Sequence, residues 1–108
     1  WLNGGPGCSS LYGLFNQIGP FFVRSDGKTL YKNKNSWNKV ANLLFLETPA
    51  GTGFSYKDDM NYTTNDDQTA MDNFVALKNF FQKYPRFSNN KFYITGKNEK
   101  KEYKNLSK

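Results

Sequence analysis

Apolar side chains between Leu11 and Phe22 fall at 11, 14, 15, 18, 21 and 22. That spacing is close to the helical period, and Gly19-Pro20 supplies a stop, so the pattern predicts a short helix after a tight opening loop. Residues 24–38 are polar, with Asp26-Gly27 as a turn signal and Leu30, Tyr31 and Trp37 as isolated apolar points, which predicts a short hairpin excursion. Val40 to Leu46 reads V-A-N-L-L-F-L, a nearly unbroken apolar run of strand length that predicts a strand buried on both faces. Pro49, Gly51 and Gly53 end it, placing a loop at the carboxyl end of that strand, where open α/β sheets put their ligand sites.

A second periodic stretch is the clearest in the chain. Apolar positions at 70, 71, 74, 75, 77, 80 and 81 follow Asp66-Asp67 and precede Pro85, and acids at the start with proline at the stop predict a helix between them. Phe92-Tyr93-Ile94-Thr95 is β-branched and aromatic and is closed by Gly96, so it predicts another strand. Strand, loop, helix and strand in that order make a βαβ crossover with a parallel pair. The fold class is therefore α/β, with residues 1–96 as one unit. From Lys97 the composition turns to Lys, Asn and Glu with one Tyr and one Leu, a tail expected to be disordered because it has too little to bury. Strands lacking neighbours on their outer sides would leave open edges, so independent folding is expected to be poor.

Composition removes several functions. Of 15 basic and 9 acidic side chains, five Lys and two Glu lie in 97–108, and the remainder are spread without a stripe. The formal charge of +6 thus reads as hydrated surface, and no nucleic-acid partner is expected. No run approaches the roughly 20 apolar residues of a membrane span, so no membrane partner is expected, and no secretory signal opens the chain. His is absent from the 108 residues and Cys8 is the single cysteine. The usual base of Ser and Cys hydrolases and the commonest metal ligands are therefore missing, and neither a metal nor a cofactor is expected.

The opening string WLNGGPGCSS resembles the oxyanion-hole loop of the serine carboxypeptidases, peptidases of the α/β-hydrolase fold. The likeness continues through SWNKVANLLFLETPAGTGFSY, DDQTAMDNFVALKNFFQKYPRF and FYITG, so that residues 1–96 read as a partial α/β-hydrolase domain with an incomplete sheet. The resemblance implies a serine-type carboxypeptidase that releases C-terminal amino acids through an acyl-enzyme. It makes Gly4 and Gly5 the oxyanion loop, with the Gly5 N–H as one donor. A backbone N–H reaches a developing oxyanion only where no side chain intervenes, which suits this residue type. It also implies that Trp1, Asn3 and Gln17 bind the free carboxylate of the substrate's C-terminus, Gln17 standing where the family has a Glu.

The same resemblance implies a distant disulfide partner for Cys8, which is missing here, and a secretory-pathway setting: extracellular, lysosomal or vacuolar. Asn61-Tyr62-Thr63 and Asn105-Leu106-Ser107 fit the glycosylation acceptor pattern. After FYITG the family continues into a Gly-Glu-Ser-Tyr-Ala-Gly nucleophile turn, whereas this chain reads Gly96-Lys97-Asn98-Glu99-Lys100. No triad residue is thus assigned. Residues 97–108 are expected to derive from non-coding sequence read into the message, and the 108-residue chain is expected to be inactive alone. Peptide C-termini are the expected partner. A fragment of a related acyltransferase and a non-catalytic binding remnant stand as alternatives, and neither substrate side-chain preference nor oligomeric state is encoded legibly.

Overall fold

The computed structural model describes residues 1–97; the expectations for the tail beyond Lys97 and for Asn105 lie outside the described residues. Four short strands and two helices follow one another as β1 (Leu2–Asn3), α1 (Leu11–Asn16), β2 (Phe21–Val23), β3 (Leu30–Lys32), α2 (Asp66–Lys83) and β4 (Gly96–Lys97), with 3₁₀ turns at Trp37–Lys39 and Pro85–Phe87. β1 and β4 pair in parallel, with Leu2 opposite Gly96 and Asn3 opposite Lys97. Lys97, the first residue of the compositional tail, is thereby part of the ladder.

The helix predicted from Leu11 stops at Asn16, and Phe21 and Phe22 belong to β2 instead. Proline disfavours helix in the residue before it, and Gly19 and Pro20 turn the chain outward ahead of the apolar pair. A Cβ on Gly19 would sit 2.0 Å from the Leu14 carbonyl oxygen, so no other residue permits this close reversal. The hairpin forms as expected around Asp26-Gly27, but its first strand starts before residue 24, with Phe21 opposite Lys32 and Val23 opposite Leu30. Asp26 closes the turn by accepting from the N–H groups of Lys28 (2.9 Å) and Thr29 (2.8 Å). Asn33 then ties the hairpin to the end of α1, its Nδ2 donating to the carbonyls of Gly19 (2.9 Å) and Gln17 (3.3 Å).

The two strands expected at 40–46 and 92–95 need correction. Residues 42–48 and 91–95 belong to no ladder, and Val40 is 90% exposed rather than buried on two faces. A ladder needs a neighbouring strand in register along its length, and here contact is confined to one end of each run. The Trp1 nitrogen donates to the Leu44 carbonyl (2.6 Å) and the Leu46 N–H to the Trp1 carbonyl (3.2 Å). On the other side, Leu2 N–H donates to the Thr95 carbonyl (3.0 Å). β1 thus lies between the two segments, parallel to both, and the expected crossover pair is separated by an inserted strand.

α2 matches its sequence pattern closely. Asn65 caps it by accepting from the Gln68 N–H (2.9 Å), Asp66 and Asp67 occupy the first turn and Lys83 the last, an arrangement that complements the helix dipole. Its C-terminal aromatics cluster: Phe80 stacks on Phe87 at 5.9 Å between centroids, and Phe81 meets Phe92 edge-on at 5.3 Å. Burial is otherwise thin, with Leu2 and Ile18 the buried apolar residues and Phe54, Tyr56, Met60 and Tyr93 at least 70% exposed.

Candidate functional site

The loop that leaves the C-terminal end of β1 is fixed by hydroxyls. Ser10 is 1% exposed. Its Oγ accepts from the Asn3 N–H (3.0 Å) and donates to the Leu46 carbonyl (2.6 Å), so one side chain joins β1, the start of α1 and the neighbouring extended segment. Ser10 sits at the N-cap of α1 but makes no cap bond; its hydroxyl is spent on those two partners, and Ser9 Oγ accepts from the Leu11 N–H instead (3.2 Å).

Trp1 and Asn3, predicted together, are joined: the indole Nε1 donates to Asn3 Oδ1 at 2.9 Å, and Asn3 is 6% exposed. Trp1 also meets Trp37 edge-to-face at 5.8 Å. The indole has room because residue 13 is glycine, where a Cβ would lie 2.4 Å from Nε1. Gln17 lies one turn beyond Gly13 in sequence, yet no hydrogen bond joins its side chain to Trp1 or Asn3, and its Oε1 is buried without a hydrogen-bond partner among the described residues.

Gly4 is buried and Gly5 exposed, and the N–H of Gly5 has no hydrogen-bond partner among the described residues. A Cβ on Gly5 would stand 2.9 Å from Cys8 Sγ, so an alanine there presses the loop against its own cysteine. Cys8 itself is a free, exposed thiol. The exposed Asn61 Oδ1 accepts from the Thr63 N–H (3.1 Å).

Glu47 is a residue that the sequence reading passed over. Its Oε1 accepts from Ser9 Oγ, its Oε2 from the Phe54 N–H (2.7 Å), and its carbonyl from Ser55 Oγ (2.7 Å). The carboxylate therefore ties the 51–55 loop to the opening loop. Gly53, at φ 56°, makes this possible, because a Cβ there would stand 2.1 Å from Glu47 Oε1. The available signal was a lone acid closing an apolar run directly before a Pro-Ala-Gly-x-Gly loop.

The N–H of Gly5, like those of Gly7, Cys8 and Ser9, has no hydrogen-bond partner among the described residues, so the braced turn offers backbone donors beside a buried amide and an indole. Such a surface can hold a neutral or anionic oxygen by hydrogen bonds. Without an imidazole in the 108 residues, it contains no ordinary base to ionise Ser9, Ser10 or Ser55. Among the described residues no three His, Cys, Asp or Glu side chains converge as metal ligands, and no helix is long and apolar enough to cross a membrane.

The sequence profile of the serine carboxypeptidase family matches residues 1–98. The mouse (Mus musculus) lysosomal protective protein is 54% identical over 96 residues, and serine carboxypeptidase-like 27 of Arabidopsis thaliana is 56% identical over 99. Each match takes in 89% of this chain but about a fifth of the relative, 20% and 22% respectively. Among solved structures, the prohormone-processing carboxypeptidase Kex1Δp of Saccharomyces cerevisiae superposes with a TM-score of 0.81 at 38% identity, over 89% of this chain and 21% of that one.

Proposed function

The chain belongs to the serine carboxypeptidase family, and on that premise we propose that residues 1–96 form the oxyanion and carboxylate-binding side of a peptidase site that releases C-terminal amino acids through an acyl-enzyme. In this reading the Gly5 N–H is one donor to the oxygen that gains charge as the carbonyl is attacked. Trp1, Asn3 and Gln17 receive the free carboxylate of the substrate. The observation that carries it is the unpartnered Gly5 N–H on a turn whose flanks are pinned by Ser10 and Asn3. A pre-aimed donor of this kind contributes about 10²- to 10³-fold to acyl transfer. Gln17 Oε1 is buried without a partner among the described residues; toward an ionised carboxylate the amide acts through its Nε2 donor, since only a protonated carboxyl could donate to Oε1. An exposed Asn61 and the name of the lysosomal relative support a secretory-pathway setting.

The 108 residues carry no activated nucleophile, so the chain alone binds without hydrolysing. Incubation with N-blocked dipeptides tests this. Release of the C-terminal amino acid should not exceed buffer background, while the same peptides still perturb the Gly5 and Asn3 amide signals. Turnover proportional to chain concentration, or no perturbation at those amides, would contradict the proposal.

A further inference from the structure

Ser10 fastens the opening turn to β1 and Leu46, and a second set of bonds reaches the same turn through Ser9. Both oxygens of the Glu47 carboxylate are occupied: Oε1 accepts from Ser9 Oγ, and Oε2 accepts from the Phe54 N–H at 2.7 Å. Because the Ser9 hydroxyl gives its proton to Glu47, its oxygen is left to accept from the Leu11 N–H at 3.2 Å, while the Ser9 carbonyl accepts from the Tyr12 N–H at 3.1 Å. Phe54, Glu47, Ser9 and the first turn of α1 are thereby joined in one series of hydrogen bonds.

The 51–55 loop at the far end of that series is closed on itself. The Gly51 N–H donates to the Ser55 carbonyl (2.8 Å), the Ser55 N–H to the Thr52 carbonyl (3.0 Å), and Ser55 Oγ to the Glu47 carbonyl (2.7 Å). Thr52 is buried, and its Oγ1 lies 4.0 Å from where a Cβ on Gly7 would stand, so the closed loop and the opening turn lie side by side. The turn has little stiffness of its own, since residues 4, 5 and 7 are all glycine and glycine leaves the backbone free to take many angles. The direction of the Gly5 N–H must therefore be imposed by what the turn is fastened to. Glu47 suits that task because it accepts twice; a glutamine keeps a single acceptor, and either Ser9 or Phe54 then meets an NH₂ in place of an oxygen.

We propose that Glu47 is a positioning residue of the peptidase site: acting through Ser9, it fastens the turn to the 51–55 loop and so fixes the direction of the Gly5 N–H before any substrate arrives. This deepens the reading of the site given above and rests on it. A turn ordered in advance spares the substrate the cost of ordering it.

The test compares the 108-residue chain with Glu47→Gln, Ser9→Ala, the double variant, Ser9→Thr, and Asn65→Ala, which removes the α2 cap and serves as a control for lost stability alone. In the unliganded chain, nitrogen-15 relaxation should show greater backbone motion at Gly5 and Gly7 in Glu47→Gln and in Ser9→Ala, no further increase in the double variant, and none in Asn65→Ala. Titration with a short peptide as the free acid should then give an affinity lowered at least about fivefold in each of the two single variants, the cost of ordering about one more backbone residue on binding. The double variant should be no weaker than either, and Ser9→Thr, which keeps the hydroxyl, should bind as the unaltered chain does. Unchanged motion at Gly5 in Glu47→Gln, additive losses in the double variant, or an equal loss in Asn65→Ala would each overturn the proposal. Absence of any Gly5 response to the free acid in the unaltered chain would defeat the peptidase reading, and the relaxation comparison would still decide whether Glu47 sets the turn.

Discussion

Ser10 is the residue on which the opening loop depends most. Its hydroxyl satisfies one buried and one partly buried backbone group on different segments, and leaving the buried one unmet costs about 1–3 kcal/mol. Ser10→Ala should therefore lower the denaturation midpoint and expose the Asn3 amide to exchange, whereas Ser9→Ala, which frees only partly buried partners, should do less. At Gly53 two penalties combine. The backbone is left-handed and an added methyl meets Glu47, so Gly53→Ala should cost at least about 1–2 kcal/mol from conformation alone. Pairing it with Glu47→Ala should relieve the steric part, giving a non-additive cycle in urea titrations. Trp1, Asn3, Gly4 and Gly5 were singled out through the resemblance of the opening string to the serine carboxypeptidase loop, and the structure joins Trp1 to Asn3 by a hydrogen bond. Glu47 was not, since its role depends on the 51–55 loop folding back, and a single acid after a strand has many ordinary uses.

At the scale of elements, α2 and the Asp26 turn were legible because each is specified locally, by a cap, a period and a stop. Asn65→Ala should remove about 1 kcal/mol of helix stability, read as lost helical dichroism and faster exchange at Gln68. The hairpin turn responds to pH with a defined sign. The Thr29 hydroxyl, with the Thr29 and Lys28 amides, holds the Asp26 carboxyl below its ordinary 3.8. Its contribution is thus complete above 3.8 and is lost as pH falls below that value through the folded-state pKa. Amide shifts of Lys28 and Thr29 should move together over that acid range, and Asp26→Asn should flatten the response. The two β runs were legible in type but not in pairing. Val40–Leu46 has the composition of a central strand, yet ladder formation depends on which chain lies alongside, and the apolar pattern of a single run holds no information about that.

At the scale of the whole molecule, few apolar side chains among the described residues are fully buried, and large ones such as Phe54 and Val40 stand in the open. Transfer of apolar area drives folding at about 25 cal/mol per Å², so a chain with this little burial should unfold over a broad range, without the steep transition of a tightly packed domain. Calorimetry should give a weak, broad heat-absorption peak. The tertiary arrangement was the least legible level, because insertion of β1 between segments distant in sequence follows from pairings such as Trp1 with Leu44 and Leu2 with Thr95.

The proposed function requires the turn after β1 to be a ready-made receptor for peptide C-termini. Nuclear magnetic resonance titration with one short peptide, as the free acid and as the C-terminal amide, measures that directly. The acid should shift the Gly5 N–H and the Trp1 Nε1–H in a saturable manner, Asn3→Ala should weaken this response, and the amide should produce little change. Identical shifts with acid and amide, or shifts at Gly5 that Asn3→Ala leaves untouched, would contradict it.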